Sequence, residues 1–329
     1  LRLFAEGEYK RRLNDIGTGY ANILYIVLLL LDAQDKESAS EQATMILAVE
    51  EPEAHLHPHL QRLVFGDLLN SNTIPEDNSN SRKPPVIITT HSPHIVSVTP
   101  LQDILMLKRS DSGTIGKNII NANLAEYEIK DIERYLDATR TELMFSKGVI
   151  LVEGIVEQIL ITTYVRLFNT SLDKLGISII NINGINFAPY VRLLGEHGFD
   201  IPIAIVTDGD PLHNEGSDSD PTNENNIPEG LKRGMSLAEL LNPMQANLID
   251  LNSPHGEIRE LLAQVGIFVG NHTVEIDLLE AEYWDEYLAT FRELGEGDQS
   301  IEKTEKVFQD WVNLLPNEKE RKIVSKIKR

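Results

Sequence analysis

The chain has 329 residues, carries a formal net charge of −21 at pH 7, and is 41% hydrophobic and 25% charged. This length allows two domains of ordinary size, and the composition is that of a globular protein. Because the chain has no cysteine, disulfide frameworks and thiolate metal sites are excluded. The longest apolar run, residues 23–31, is shorter than the ~20 residues that span a bilayer. We therefore expect a soluble, cytoplasmic protein with no membrane partner.

Apolar periodicity in the first half of the chain predicts several elements in order. They are a buried helix at 23–31, a buried strand at 45–49, a helix at 58–69, a strand at 86–89, a strand at 104–108 that leads into a turn, and a joining helix at 131–145. In the second half, strands at 149–152, 177–182, 202–207 and 273–279 and helices at 155–168 and 187–196 are predicted. This alternation indicates an α/β fold whose mostly parallel sheet is flanked by helices.

The strand predicted at 45–49 ends in two acidic residues, Glu50 and Glu51. In nucleotide hydrolases, a first acid in this position holds Mg²⁺ and a second orients or deprotonates the attacking water. A buried strand that simply leaves the core through an acidic turn fits the same pattern equally well. The pattern alone therefore leaves both interpretations open.

Two further predicted strands also end in carboxylates, Glu153 and Glu157 after the first and Asp208 and Asp210 after the second. At an effective dielectric of ~20, two like charges ~4 Å apart repel by about 4 kcal/mol, so such a cluster needs protons, basic partners or divalent cations. Hard oxygen ligands suit Mg²⁺ or Mn²⁺. The sequence therefore favours metal-assisted cleavage of a phosphodiester bond.

The net charge of −21 argues against tight, non-specific binding of nucleic acid, which usually leaves a basic footprint. Basic residues are nevertheless clustered at residues 10–12 and within residues 319–329. Bound divalent ions would neutralise several carboxylates. The net charge therefore argues against a nucleic-acid function but does not exclude one.

Residues 50–58, followed by Thr90-His91-Ser92-Pro93, closely resemble the ATPase core of the ABC family, in the branch of the OLD (overcoming lysogenization defect) nucleases and the RecF/SMC-like ATPases. The resemblance implies that Glu50 binds the metal of ATP, that Glu51 is the catalytic base and that His91 contacts the γ-phosphate. It also suggests a degenerate signature motif, although the same residues read as a plain helix-entry turn. That motif is Gly17, Thr18 and Gly19.

No G-x-x-x-x-G-K-[ST] phosphate loop occurs in this sequence. In the ABC family that loop lies upstream of the signature motif. We therefore expect the chain to begin partway through the ATPase domain and to hydrolyse ATP poorly by itself. Whether such a loop precedes Leu1 is the most useful thing to learn.

Residues 149–157, together with Asp208-Gly209-Asp210, resemble the Toprim domain of topoisomerases, primases and OLD nucleases. The resemblance implies that the acids after both strands are catalytic and bind the metal, and that a late acidic strand adds further ligands by period-two alternation. It also implies a late basic residue near the leaving phosphate, for which Lys328 is preferred to Lys326 and a solvated helix end is the alternative. The implied metal ligands are Glu153, Glu157, Asp208, Asp210, Glu275 and Asp277.

The sequence thus predicts a partial ABC-type ATPase domain at residues 1–135 and a Toprim nuclease domain with C-terminal helices at 146–329. We expect a DNA endonuclease of the OLD type that uses one or two Mg²⁺ or Mn²⁺ ions, with ATP bound by the complete ATPase domain. The resemblance further implies a homodimer or higher oligomer through the ATPase half, a helicase-like partner, and a role in anti-phage defence or DNA repair.

Two alternatives stay open at this point. The first is a RecF/SMC-like DNA-binding ATPase whose Toprim domain is a non-catalytic docking module. The second is Toprim chemistry of the primase or topoisomerase kind, which is disfavoured because no separate domain that would deliver a tyrosine nucleophile is visible in the sequence.

Overall fold

The computed structural model describes residues 4–5, 11–12, 17–39, 46–69, 85–111, 113–136, 140–210, 227–250, 253–274 and 277. The chain divides into two compact units. Unit 1 comprises Leu1–Ser146 and Glu196–Asp200, and unit 2 comprises Lys147–Gly195 and Ile201–Arg329.

Unit 1 contains three strand pairs and several helices. Strands β3 and β4 run parallel, whereas β1 with β2 and β5 with β6 are antiparallel. The predictions of a helix at 58–69, a strand at 86–89 and a hairpin near residue 110 are confirmed. The elements are β1 Phe4–Ala5, β2 Arg11–Arg12, α1 Thr18–Ala39, β3 Leu47–Glu50, α2 Pro58–Leu69, β4 Val86–Thr89, α3 Pro93–Val96, a 3-10 turn Leu101–Asp103, β5 Met106–Ser110, β6 Gly113–Lys117, α4 Glu126–Tyr135 and a 3-10 helix Arg140–Phe145.

The core of unit 1 forms around Ile26, Leu56, Phe65 and Ile95, all of which are buried. The helix predicted at 23–31 lies within α1, but only part of it is buried, because Ile26 is 6% exposed whereas Tyr25 is 63% exposed. Strand β3 likewise alternates half-buried and exposed positions. An apolar run in the sequence does not show which face of an element will be covered. In α1 and β3, the described neighbouring elements pack against only one face. The joining helix predicted at 131–145 is wrong, since α4 ends at residue 135 and a separate 3-10 helix follows.

Unit 2 is built around a four-stranded sheet in the order β10-β9-β7-β8, in which all three pairings are parallel. The predicted α/β fold with a parallel sheet flanked by helices is confirmed. The elements are β7 Gly148–Val152, α5 Ile155–Leu167, α6 Leu172–Leu175, β8 Ile177–Asn181, α7 Ala188–Leu194, β9 Ile203–Thr207, α8 Glu229–Leu241, α9 Pro243–Ala246, α10 His255–Gln264 and β10 Ile267–Val269.

Strand β7 lies inside this sheet, with β8 on one side and β9 on the other. The direction in which strands are added therefore reverses between β7 and β9. In open α/β sheets, ligands bind in the crevice at the carboxyl ends of the strands at such a reversal. Because Val152 is opposite Val206 in the parallel pairing, Glu153 and Thr207 leave the sheet at the same edge.

The end of the sheet differs from the sequence prediction. Strand β10, a three-residue apolar segment between two glycines, was missed. The strand predicted at 273–279 is wrong at its described positions, because Val274 and Asp277 are helical and the amide of Asp277 donates to the carbonyl of Thr273 at 3.0 Å. The sequence Thr-Val-Glu-Ile-Asp-Leu-Leu satisfies helical spacing as well as period-two alternation, so alternation was a poor guide.

Among the helices in the described part of the chain, none has the length and apolar character needed to cross a membrane.

Candidate functional site

The two acidic strand ends of unit 2 meet at one arginine that sequence reasoning did not single out. Nη2 of Arg233, on α8, donates to Oε1 of Glu153 at 2.9 Å and to Oδ2 of Asp210 at 3.0 Å. The side chains of Arg233 and Glu153 are only 12% and 15% exposed, whereas that of Asp210 is 41% exposed. A largely buried positive charge therefore joins carboxylates that follow β7 and β9.

The backbone and Thr207 complete this network. Nη2 of Arg233 also donates to the carbonyl oxygen of Asp208 at 3.1 Å, and its Nε donates to Oγ1 of Thr207 at 2.9 Å. The Thr207 hydroxyl in turn donates to Oε1 of Glu153, which also accepts from the amide of Asp208 at 2.9 Å. Thr207 is buried, so the orientation of Glu153 is fixed by donors that belong to β9 and to the residue after it.

The electrostatic environment of Glu153 has opposing contributions. The pKa of Glu153 is raised above its usual value, chiefly because the group is removed from solvent; the Thr207 hydroxyl, the Arg233 guanidinium and the Asp208 amide each lower it, and the nearby Asp210 raises it. The group is therefore a carboxylate whose charged form depends on neighbouring donors and on a positive charge.

The start of α8 lies directly against the Asp208–Asp210 segment, which places Arg233. The amides of Glu229 and Gly230 donate to the carbonyls of Asp210 and Gly209 at 3.2 and 3.1 Å. A Cβ at Gly230 would lie 2.1 Å from the carbonyl oxygen of Asp208, so only glycine permits this approach. Arg233 follows one helical turn later. Arg233 belongs to a helix that was not predicted, and no local pattern distinguishes it from its basic neighbour Lys232.

Glu157, predicted to share an ion with Glu153, has a different contact in this structure. Its Oε2 accepts a hydrogen bond from the amide of Gly154 at 2.9 Å, so the side chain caps the first turn of α5. The residue is buried. The structure therefore does not bring Glu157 into the Arg233 network.

Asp208 and Asp277 also receive backbone amides. Oδ1 of Asp208 accepts from the amide of Val274 at 3.2 Å. The carboxylate of Asp277 accepts from the amides of Asn271 and His272 at 3.1 and 3.0 Å, and the carbonyl of His272 accepts from the amide of Gly209 at 2.9 Å. Asp277 thus supports the loop beneath the Asp-Gly-Asp segment. Glu275, Lys326 and Lys328 lie outside the described residues.

The donor atoms of the acidic site are of the kind that binds divalent cations. Glu153 and Asp210 present hard carboxylate oxygens to one positively charged nitrogen, so they already converge on a common cationic position. Within the described ranges, however, no group of three or more His, Asp or Glu side chains is arranged to hold a metal ion. In this structure Arg233 pairs with two of the carboxylates, and backbone amides donate to Glu157 and Asp277.

In unit 1, the structure brings together two of the residues that the resemblance assigned to nucleotide chemistry. Nε2 of His91 lies 3.8 Å from Oε1 of Glu51, and their side chains are 84% and 65% exposed. Glu51 has a positive φ of 42° and its amide donates to the carbonyl of Thr89 at 2.8 Å. Glu50 ends β3 opposite Thr89 and is exposed. These side chains thus meet at the carboxyl ends of the parallel pair β3 and β4.

Glu53 positions the backbone of His91, a role that the sequence did not indicate. Its Oε1 accepts from the Thr90 hydroxyl and from the His91 amide, both at 2.8 Å. Ser92 then caps α3 and donates its hydroxyl to Oε1 of Gln61 on α2 at 2.5 Å. One carboxylate therefore fixes the backbone of His91 while the imidazole stays exposed.

Gly17 immediately precedes α1, whereas Thr18 and Gly19 are the first two residues of the helix, so the helix begins within the predicted turn. A Cβ at Gly19 would lie 2.4 Å from the carbonyl oxygen of His55, so close packing explains this glycine. Gly17 and Thr18 are exposed at the start of the helix. Their assigned role at a phosphate across a dimer stays a prediction.

Comparisons with known proteins identify related sequences in both units. Residues 7–96 match the AAA ATPase domain family, and residues 144–210 match the family described as overcoming lysogenization defect protein-like, TOPRIM domain. The chain is 29% identical over 216 residues to Endonuclease GajA of Bacillus cereus (strain HuB5-5), which covers 60% of this chain and 31% of that protein. It is 25% identical over 194 residues to the Old nuclease of Escherichia phage P2, covering 56% of this chain and 32% of that protein.

The C-terminal region of the Burkholderia pseudomallei OLD protein is similar in structure, with 28% identity, a TM-score of 0.42, and coverage of 55% of this chain and 82% of that one. The chain spans about a third of the length of the curated relatives it matches.

Replacing Glu53 tests whether its carboxylate fixes the backbone of His91. Glu53→Ala removes the acceptor of the His91 amide, and losing a charge-assisted hydrogen bond of about 1.5–3 kcal/mol should speed exchange of that amide by roughly tenfold to hundredfold. Amide hydrogen exchange followed by NMR or mass spectrometry measures this. Glu51→Ala is the control and should leave the exchange rate unchanged; equal rates in wild type and Glu53→Ala would contradict the assignment.

Replacing Gly230 tests the close approach of α8 to the Asp208–Asp210 segment. A methyl group at Gly230 must displace backbone, so Gly230→Ala should destabilise the protein by about 1–3 kcal/mol and lower its melting temperature. Gly256→Ala, in the first turn of α10, is the matched control, because a Cβ there has no atom within 4 Å. The control should keep or raise the melting temperature. A Gly230→Ala protein as stable as this control would show that the approach is not tight.

Proposed function

We propose that the chain is a metal-dependent DNA endonuclease of the OLD family, to whose AAA ATPase and OLD-like Toprim domains its two matched segments are similar. The observation that carries the proposal is the convergence of Glu153 and Asp210 on one cationic position at the carboxyl ends of β7 and β9. The names of the relatives Endonuclease GajA and Old nuclease support the same reaction class.

In this proposal, Glu153, Asp208 and Asp210 hold one or two Mg²⁺ or Mn²⁺ ions. A bound ion would lower the pKa of the attacking water and stabilise the leaving oxygen of a phosphodiester. Thr207 and the Asp208 amide keep the Glu153 carboxylate oriented and favour its charged form. Asp277 supports the loop under Gly209, so its contribution is to hold the acidic segment in place.

We further propose that unit 1 belongs to a nucleotide-dependent regulator of this site. Glu50 and Glu51 would act on ATP-bound Mg²⁺ and water, and His91 would contact the γ-phosphate, with Glu53 holding the His91 backbone. ATP, a homodimer formed through this half, a helicase-like partner, and a role in anti-phage defence or DNA repair all follow from the family resemblance.

One observation favours a second candidate, a RecF/SMC-like DNA-binding ATPase whose Toprim unit is a docking module. Arg233 already pairs with both Glu153 and Asp210, and backbone amides donate to Glu157 and Asp277. A site whose carboxylates all have donors within the protein does not need a metal ion in order to fold. Cleavage of DNA distinguishes this candidate from the nuclease.

The test is cleavage of supercoiled plasmid by the purified chain with Mg²⁺, with Mn²⁺, and with EDTA. Glu153→Gln and Asp210→Asn remove charged ligands while keeping side-chain shape, and each should lower nicking by at least about tenfold to hundredfold. Glu239→Gln, an exposed position on the same helix as Arg233, is the control and should cleave like wild type.

Nicking that persists equally in the two ligand variants would contradict the proposed site. A folded wild-type chain that binds DNA without cleaving it in either metal would favour the docking module instead.

A further inference from the structure

Arg233 has the surroundings of a bound cation. Its single Nη2 nitrogen has three oxygen acceptors at 2.9 to 3.1 Å, which come from the Glu153 side chain, the Asp208 carbonyl and the Asp210 side chain. These oxygens belong to both strand ends of the crevice. The nitrogen therefore lies where the donors of the proposed metal site converge.

A guanidinium nitrogen and a metal ion cannot share this position. Oxygen ligands lie about 2.0–2.1 Å from Mg²⁺, so the same oxygens would have to move inward by nearly 1 Å around an ion. No room would then remain for Nη2 between Glu153 and Asp210. Occupation by the arginine and occupation by the ion are therefore alternatives.

The arginine is held firmly in this position by its own element. Its Nε donates to the buried Thr207 hydroxyl, and the start of α8 is fixed to the Asp208–Asp210 backbone through Gly230. By contrast, the neighbouring Lys232 is on the surface and pairs with Glu229 in the first turn of the same helix. The two adjacent basic residues thus differ in contact and burial, which makes Lys232 a matched control.

We infer that Arg233 is a built-in counter-cation of the acidic site, which compensates Glu153 and Asp210 in the metal-free protein and must leave them when a divalent cation binds. Arg233 is then a positioning residue that sets the cation concentration at which the site fills. Apparent affinity falls by the fraction of molecules in which the carboxylates are released from the arginine. The inference rests on the proposed cation site and adds that Arg233 competes with the metal ion for its carboxylates.

The test is Mn²⁺ binding to the full chain without DNA, measured by isothermal titration calorimetry, for wild type, Arg233→Gln, Arg233→Lys and Lys232→Gln. Removing the buried charge should tighten Mn²⁺ binding by at least about tenfold in Arg233→Gln. Arg233→Lys keeps the charge and should stay closer to wild type, and Lys232→Gln should match wild type because its charge is exposed and paired elsewhere.

Thermal stability gives a second readout of the same competition. Metal-free Arg233→Gln should melt at a lower temperature than wild type, because two carboxylates lose their buried partner, and saturating Mn²⁺ should restore more stability to it than to wild type. Equal or weaker Mn²⁺ binding by folded Arg233→Gln, or tightening by Lys232→Gln as large as by Arg233→Gln, would overturn the inference.

If Arg233→Gln does not fold, the inference can be tested on the wild-type protein. The Nε–H signal of Arg233 in an NMR spectrum reports its bond to Thr207, and Mg²⁺ at saturating concentration should shift that signal. An unchanged signal at saturation would contradict displacement. Plasmid cleavage by wild type with unchanged Mn²⁺ affinity in Arg233→Gln would remove this inference alone, whereas tighter Mn²⁺ binding without cleavage would remove only the nuclease.

Discussion

The pairing of two carboxylates with one largely buried arginine is the interaction on which unit 2 depends. Glu153 and Asp210 approach a common point at the end of the sheet, and like charges ~4 Å apart would repel by about 4 kcal/mol at an effective dielectric of ~20. Arg233 offsets that repulsion while it satisfies Thr207 and a backbone carbonyl. Arg233 and Glu153 are largely withdrawn from solvent whereas Asp210 is 41% exposed, so the Glu153–Arg233 pair contributes more to stability than the Asp210–Arg233 pair.

The sheet topology explains why these residues meet. The order β10-β9-β7-β8 places the reversal of strand order between β7 and β9, and the acids follow those two strands. The loop after β10 accepts a hydrogen bond from the amide of Gly209. Helix α8 contacts the Asp208–Asp210 segment through Gly230, where there is no room for a side chain. Unit 1 shows a similar arrangement at the ends of its parallel pair β3 and β4. Glu51 lies next to His91, and the Glu53 carboxylate accepts a hydrogen bond from the His91 amide.

Features that follow from a local pattern could be predicted from the sequence, whereas features that depend on tertiary contacts could not. Strand ends that carry Glu153 and Asp208 were predictable because apolar runs followed by acids are a local signal. Arg233 was not predictable, since its role depends on a helix approach some eighty residues from Glu153. The helical turn that includes Asp277 was taken for a strand because period-two and helical spacing coincide over a short segment. Strand β10 has only three residues and was too short to stand out.

The most direct measurement of the central claim is a crystal structure of the chain grown with Mn²⁺, with anomalous diffraction used to locate the ion. We expect an anomalous peak within about 2.5 Å of carboxylate oxygens of Glu153 and Asp210, with the Arg233 guanidinium moved away from them. A map in which Arg233 keeps both carboxylates and the manganese peak is elsewhere on the protein, or absent at a saturating concentration, would contradict it.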